Sequence, residues 1–391
     1  MSVTTQADPV RAAQDTAPNA VAITGLGACS PGGIGVPALW EALSRGESHR
    51  PHITEFDVAG ATVRCAGRVP GHAVEVNGWR VLDLAETAVR ESIAGMDGSL
   101  LERTALVLGT TDPGVVPPRA GHLAGDLAAA CAERVGLGGE AITVASASAA
   151  GATAIGVARD LIASGAASAV VAGGADAVTD MAFLGLNSLR TLGPEGCKPF
   201  SSQRRGIGLS EGAAVLRLEP LDVSRGGSES PKAVLAGCGL TNATGHLAAP
   251  GSDGIELSVR LALADAGLVP EDIDFVNTHG PGTRRGDDAE IAALRAVFGS
   301  RLGSIPINSV KGVLWHLQGG AGSVEALACV LSLAHQTITP TWGAEPVDPS
   351  YSDLDLVVGT TPRPVRGLRT AVTISCGLGG MNTALVIRRP L

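Results

Sequence analysis

Residues 142–158 read ITVASASAAGATAIGVA: an apolar lead-in, a run of small residues with Ser146 and Ser148, then an Ala- and Gly-rich stretch over Gly151–Ser164 with the look of a tightly packed helix. The same plan returns at 307–327, INSVKGVLWHLQGGAGSVEAL, where a glycine-rich start near Gly319 leads into SVEALACVLSLAH. Working outward, VAITGLGACS at 21–30 is echoed by AVLAGCGLTN at 233–242, and Ala105–Thr110 by Ile273–Thr278, which runs straight into HGPGT. Apolar runs at Val21–Gly27, Ala105–Gly109 and Ser168–Gly173 read as strands, and a helix starts within Ala38–Leu43. Strands alternating with helices give an α/β chain, and the paired echoes predict two similar halves about a pseudo-twofold axis, with matched helix starts facing one centre. A Gly/Ser-rich break at 224–230 sets the halves at 20–230 and 231–391, after a flexible tail at 1–19.

Composition narrows the function. Of 391 residues, 45% are hydrophobic but only 3% aromatic, and glycine contributes 53, so the core is built from small side chains at close range. A formal net charge of −9 without any Lys/Arg block argues against nucleic acid or an anionic membrane as partner, and leaves an acidic partner to local groupings such as Arg204 and Arg205. Seven scattered cysteines with no CxxC pair predict reduced thiols in the cytosol rather than a disulfide framework or zinc site. The first twenty residues lack the apolar core of a secretory signal, and no apolar run reaches membrane-spanning length. GLSEG at 208–212 spells the hydrolase pattern GxSxG around Ser210, but its polar lead-in SSQRRGI is not the buried strand that a nucleophile elbow needs. There is no GxGxxG, no phosphate-binding loop and no HExxH, so neither a nucleotide nor a metal is expected.

Six segments in order resemble the β-ketoacyl-acyl-carrier-protein synthase family: 21–48, 142–158, CKPFSSQRRGIGLSEGAA at 197–214, VNTHGPGTRRGDDAE at 276–290, 307–327 and SCGLGGMN at 375–382. The resemblance spans roughly residues 20 to 390 and implies a thiolase-like fold, a duplicated αβαβα architecture of five layers. It implies a cytoplasmic dimer, paired with itself or with a ketosynthase relative. An acyl carrier protein would be its partner, and the phosphopantetheine arm of that carrier, or coenzyme A, its substrate handle, with no bound cofactor. The family's catalytic set of a cysteine, two histidines and a lysine falls on Ser148, His279, His316 and Lys311. Glu290 and Thr283 fall beside it as supporting residues. The loop of Gly377, Leu378 and Gly379 falls on the family's gate, where the N–H groups of Leu378 and Ser148 would form an oxyanion hole.

Three departures from the family pattern bear on activity. Serine stands where the family has its nucleophilic cysteine. A helix N-terminus generates thiolate from a thiol but not alkoxide from a hydroxyl, so Ser148 needs a base, for which His279 or His316 is the candidate. Trp315 stands where glycine usually precedes the second histidine, and is expected to reshape or narrow the pocket. Cys376 and Leu378 replace gate phenylalanines, and Cys376 is a weak candidate for a substitute nucleophile. Three activities stay open on this reading: acyl transfer through Ser148, a non-condensing chain-length-factor-like subunit that pairs with a true ketosynthase, and decarboxylation of a malonyl thioester by the histidine pair.

Overall fold

The computed structural model describes residues 19–71, 79–112, 126–222, 230–243 and 251–390. The 1–18 part of the expected tail and the 224–229 part of the expected break lie outside the described residues. In the first half the strands are β1 (Val21–Ser30), β2 (Gly33–Ile34), β3 (Ala105–Gly109), β4 (Ala141–Val144), β5 (Val170–Asp176) and β6 (Gly212–Pro220). In the second they are β7 (Ala233–Asn242), β8 (Phe275–Asn277), β9 (Ile307–Asn308), β10 (Thr337–Ile338), β11 (Arg363–Pro364), β12 (Thr370–Cys376) and β13 (Met381–Arg388).

The main sheet runs β4-β3-β5-β6-β1-β7-β13-β12-β8-β9. Read outward from its middle, β1-β6-β5-β3-β4 is matched by β7-β13-β12-β8-β9, with parallel pairing at β3/β4, β3/β5, β8/β9 and β12/β8 and antiparallel pairing elsewhere. The echoes at 21–30 with 233–242 and at 105–110 with 273–278 are therefore β1 with β7 and β3 with β8. The two copies meet where Val21, Ala22 and Ile23 pair with Leu235, Val234 and Ala233.

Five layers follow from which faces are apolar. Helices Ala150–Ala163 and Ala321–His335 pack on each other and on strands of both halves, so they form the middle layer. The second of these is buried on almost every side, as a helix apolar all round must be. Helices Arg80–Ser92 and Leu127–Val135 cover one outer face, and Ser252–Asp265 and Arg284–Phe298 the other. The outer helices approach the sheet at glycines. A Cβ at Gly27 would overlap the carbonyl of Ala88, and one at Gly239 the carbonyl of Ser258, which explains the glycines shared by the two echoed strands. Strands such as β5, VVAGGAD, are buried on both faces and so read as continuous apolar runs rather than alternating ones. No helix among the described residues is long and apolar enough to cross a membrane.

Candidate active site

Where the two middle helices begin, the halves meet around a cavity of about 390 Å³. Ser148, His279, His316, Glu290, Thr283 and Leu378 all line it, together with apolar side chains including Met181, Leu186, Ile207 and Leu209 and the polar Thr111, Asp112, Thr191 and Gln318.

Ser148 sits in a tight turn between β4 and the Ala150–Ala163 helix, after Ala147 at φ +50°, a value L-residues rarely adopt. The helix N-terminus stands directly behind it and favours negative charge. Ser146 supports this turn, since its Oγ donates to Thr153 Oγ1 at 2.9 Å, and Thr153 in turn contacts Thr383 Oγ1 at 2.9 Å. Gly377 runs alongside, where a Cβ would lie 3.3 Å from Ser148 N, so the gate loop and the serine turn are adjacent.

His279 emerges after β8 and is fixed at its backbone by Glu290, whose carboxylate accepts from the N–H of His279 at 2.6 Å and of Gly280 at 2.8 Å. Burial pushes the Glu290 carboxyl up to about 8. Thr283 caps the Arg284–Phe298 helix, accepting from Gly286 N at 3.2 Å. Lys311 is buried, and its three donor hydrogens meet three acceptors: His279 O at 2.6 Å, His279 Nδ1 at 3.1 Å and the Glu325 carboxylate. Its carboxylate partner is thus Glu325 rather than Glu290. Glu325 was not singled out from sequence, although it is the one acidic residue of an otherwise apolar helix, AGSVEALACVLSLAH, and that oddity was available as a signal.

His316 is oriented from its other side. Its Nδ1 accepts from the Gln318 backbone N–H at 3.0 Å, while the Gln318 side chain donates to Ala177 O at 3.0 Å. Asp176, at the end of β5, accepts from Gly319 N at 2.5 Å and from Thr111 N at 2.9 Å, tying the histidine turn of one half to the strand ends of the other. Sequence reasoning passed over both Gln318 and Asp176, because neither stands in a pattern until the halves are brought together.

These partners assign the tautomers. An ammonium only donates, so Nδ1 of His279 accepts from Lys311, and Nδ1 of His316 accepts from an amide. Both rings therefore carry their proton on Nε2, the edge left for the cavity. Burial and the Lys311 charge hold His279 well below the usual imidazole range, and the same two causes push His316 down to about 3. The rings meet edge to face with centroids 5.3 Å apart. They are two neutral donors, and no hydrogen bond joins Ser148 Oγ to either. This differs from the expectation of a histidine base: to accept from serine at Nε2, each ring would need its proton on Nδ1, facing another donor.

Two further expectations change. The Trp315 indole does not narrow the cavity; it turns away and is buried against Gly196 and Gly208, with the Arg50 guanidinium 4.8 Å from its ring centre. Gly379 lies on the gate loop in open space at φ +85°, and it is Gly380, with Gly377 and Leu378, that lines the cavity. Cys376 does line it, but burial, with the Glu290 charge adding to it, raises its thiol well above the ordinary range and keeps it protonated. Leu378 is 48% exposed, an aliphatic side chain at the mouth. Ser210 precedes β6 rather than a helix, and its buried Oγ has no hydrogen-bond partner among the described residues.

The N-terminal domain of the beta-ketoacyl synthase family matches residues 64–224, and its C-terminal domain matches residues 232–345. The chain belongs to the beta-ketoacyl synthase family. Members of that family are acyltransferases of polyketide or fatty acid synthesis. Among its relatives is nodulation protein E of Rhizobium meliloti strain 1021, 32% identical over 94% of this chain and 99% of its own length. The 3-oxoacyl-acyl-carrier-protein synthase 2 of Vibrio cholerae serotype O1 is 30% identical over 94% and 99%. The solved structure of the ishigamide ketosynthase/chain length factor superposes with a TM-score of 0.88 at 32% identity, covering 95% of this chain and 99% of that one. The fold is the thiolase-like ketosynthase fold.

Proposed function

We propose that this chain decarboxylates a malonyl-type thioester, presented on the phosphopantetheine arm of an acyl carrier protein, without taking the acyl group onto Ser148. The observation that carries this reading is the pair of neutral imidazoles, each with Nδ1 occupied and an Nε2–H left for one cavity. Two N–H donors at one place fit an oxygen on which negative charge develops. On decarboxylation the bond from the α-carbon to the carboxylate breaks, carbon dioxide leaves, and the electron pair spreads into the thioester carbonyl as an enolate. The two Nε2–H groups hold the enolate oxygen, and the α-carbon then takes a proton from water. Ser148 has a helix field behind it but no acceptor for its proton among the described residues, so it stays a hydroxyl.

The test is direct. Incubation with a malonyl-carrier protein yields the acetyl form, seen by intact mass of the carrier, with no mass added to the chain. Ser148→Ala keeps the reaction, whereas His279→Ala or His316→Ala slows it by about 10²–10³-fold, the usual effect of removing one such donor. An acyl adduct on the chain that disappears in Ser148→Ala would overturn the reading in favour of acyl transfer.

Carrier docking has its own support. Arg204 is consumed internally by Asp288 and Asp348, but Arg205, Arg284 and Arg285 are exposed and neighbour in sequence the cavity-lining Ile207, Thr283 and Gly286, on a chain whose net charge is −9. Rim charges act mainly on encounter. Arg284→Glu combined with Arg285→Glu raises KM for the carrier-bound thioester by roughly tenfold or more, leaves kcat unchanged, and has no effect on a pantetheine thioester lacking the protein. An equal rise for both substrates would refute that assignment.

The missing cysteine, together with the likeness to a ketosynthase/chain length factor structure, favours a second reading as a non-condensing partner of a ketosynthase. A chain that releases no carbon dioxide, yet is required for product length by a co-expressed ketosynthase, fits that reading and excludes the first.

A further inference from the structure

Directly before His316, the backbone of Trp315 adopts φ 61° and ψ −161°, a region populated almost only by glycine. A bulky residue persists there only where its surroundings over-determine it, and three separate stretches of chain do so. The indole is 4% exposed, and lies so close to Gly196 and Gly208 that a Cβ on either would overlap the ring. Arg50 covers it at 4.8 Å and donates to Gly312 O at 3.2 Å and Val313 O at 2.5 Å, the carbonyls of the turn that carries Lys311. On the main chain, Trp315 N donates to Lys311 O at 3.0 Å, His316 N to Gly208 O at 2.8 Å, and Ser210 N to His316 O at 3.0 Å. The indole N–H is buried and has no hydrogen-bond partner among the described residues, so close fit and the guanidinium over its face, rather than a hydrogen bond, seat the ring.

We propose that Trp315 is the positioning residue for His316, a key whose indole locks the 196–210 loop onto the histidine turn and so aims the imidazole at the cavity. The same lock reaches the cavity wall, since Ile207 and Leu209 lie on that loop and line it. Trp315 touches no reacting atom; it acts through its neighbours. In a well-packed interior such a key has two discrete states, seated or displaced, rather than a continuum. The value of positioning His316 rests on the decarboxylation reading, but the lock itself does not, and it is read without any turnover.

The groups facing His316 are the Gln318 N–H on Nδ1, the edge of the His279 ring and the Lys311 charge. The measurement is the ¹⁵N spectrum of the two imidazoles, with His316→Ala and His279→Ala supplying the assignments. In the unmodified chain both rings show the Nε2–H pattern without titrating between about pH 8 and pH 5, a window that spans the ordinary imidazole midpoint of about 6.5. In Trp315→Gly, which relieves the backbone but deletes the ring, His316 loses that fixed pattern and titrates within this window while His279 does not. Gly208→Ala, which keeps the tryptophan but denies it its seat, does the same. Trp315→Phe, which keeps a ring in the slot, restores the fixed pattern. A folded Trp315→Gly whose His316 spectrum matches that of the unmodified chain makes the tryptophan mere filling and overturns the proposal. Should that variant fail to fold, the unchanged His316 spectrum of Gly208→Ala overturns it equally. Absence of decarboxylation with the lock intact would strike only the functional reading.

Discussion

Ser148→Cys is expected to turn a chain that carries no acyl group into one that holds an acyl thioester in stoichiometric amount. The turn after β4 places residue 148 at the start of the Ala150–Ala163 helix, facing the cavity. A thiol has an ordinary pKa of about 8.5, and a helix N-terminus lowers it towards neutrality, so a nucleophile forms without any base. A hydroxyl in the same field stays protonated, and both imidazoles are held as donors by Lys311 and Gln318. One atom therefore separates the two behaviours. Incubation with a short acyl-carrier protein, followed by intact mass of the chain, checks this. A folded Ser148→Cys that gains no mass, while the carrier stays acylated, would show that the cavity does not bring the thioester to residue 148.

The largest effect on folding is expected at Lys311. Lys311→Met leaves Glu325 buried without its cation and exposes His279 Nδ1 to an apolar side chain in place of a donor. Breaking such a buried pair from one side costs about 3–5 kcal/mol. The sign of the pH dependence follows from Glu325, whose carboxyl burial raises and Lys311 lowers. Without Lys311 only the hydrogen bond from Ser375 still opposes the upward pull of burial. A carboxyl whose folded pKa exceeds its unfolded value binds its proton more tightly in the folded state, so stability falls as pH rises through that window. Lys311→Met is thus least damaging in mildly acidic solution and worse towards alkaline pH, as denaturant titrations at several pH values would record. Lys311→Met combined with Glu325→Gln recovers much of the loss, because no ionisable group is left stranded. Equal destabilisation in the single and double variants would show that packing volume, not charge, sets the cost. The single variant also frees Nδ1 of His279 to carry the ring proton, which takes a donor out of the cavity.

Much of this molecule was legible along the chain because its physics is local or repeated. Small residues at fixed places mark where helices ride close on strands, and they recur because the fold recurs: Gly27 and Gly239 occupy equivalent places under equivalent helices. The same regularity made β1 with β7, β3 with β8 and the two middle helices readable as pairs. Ser148, His279, His316 and Lys311 could be named because short motifs carry them.

What the chain could not declare was which atom faces which. Lys311 turned out to answer Glu325, fourteen residues on, and Glu290 to answer two backbone amides. A tryptophan in a glycine's place read as an obstruction, and packing turned it away from the cavity because Gly196 and Gly208 leave a buried slot for it. The histidines read as bases, yet each ring's protonation is set by one partner on its far edge, brought there only when the halves close. Residue type and order determined the fold, the duplication and part of the candidate site. Tertiary structure alone decided the tautomers, since a hydrogen bond depends on distances of a few ångströms between groups that sequence spacing does not measure.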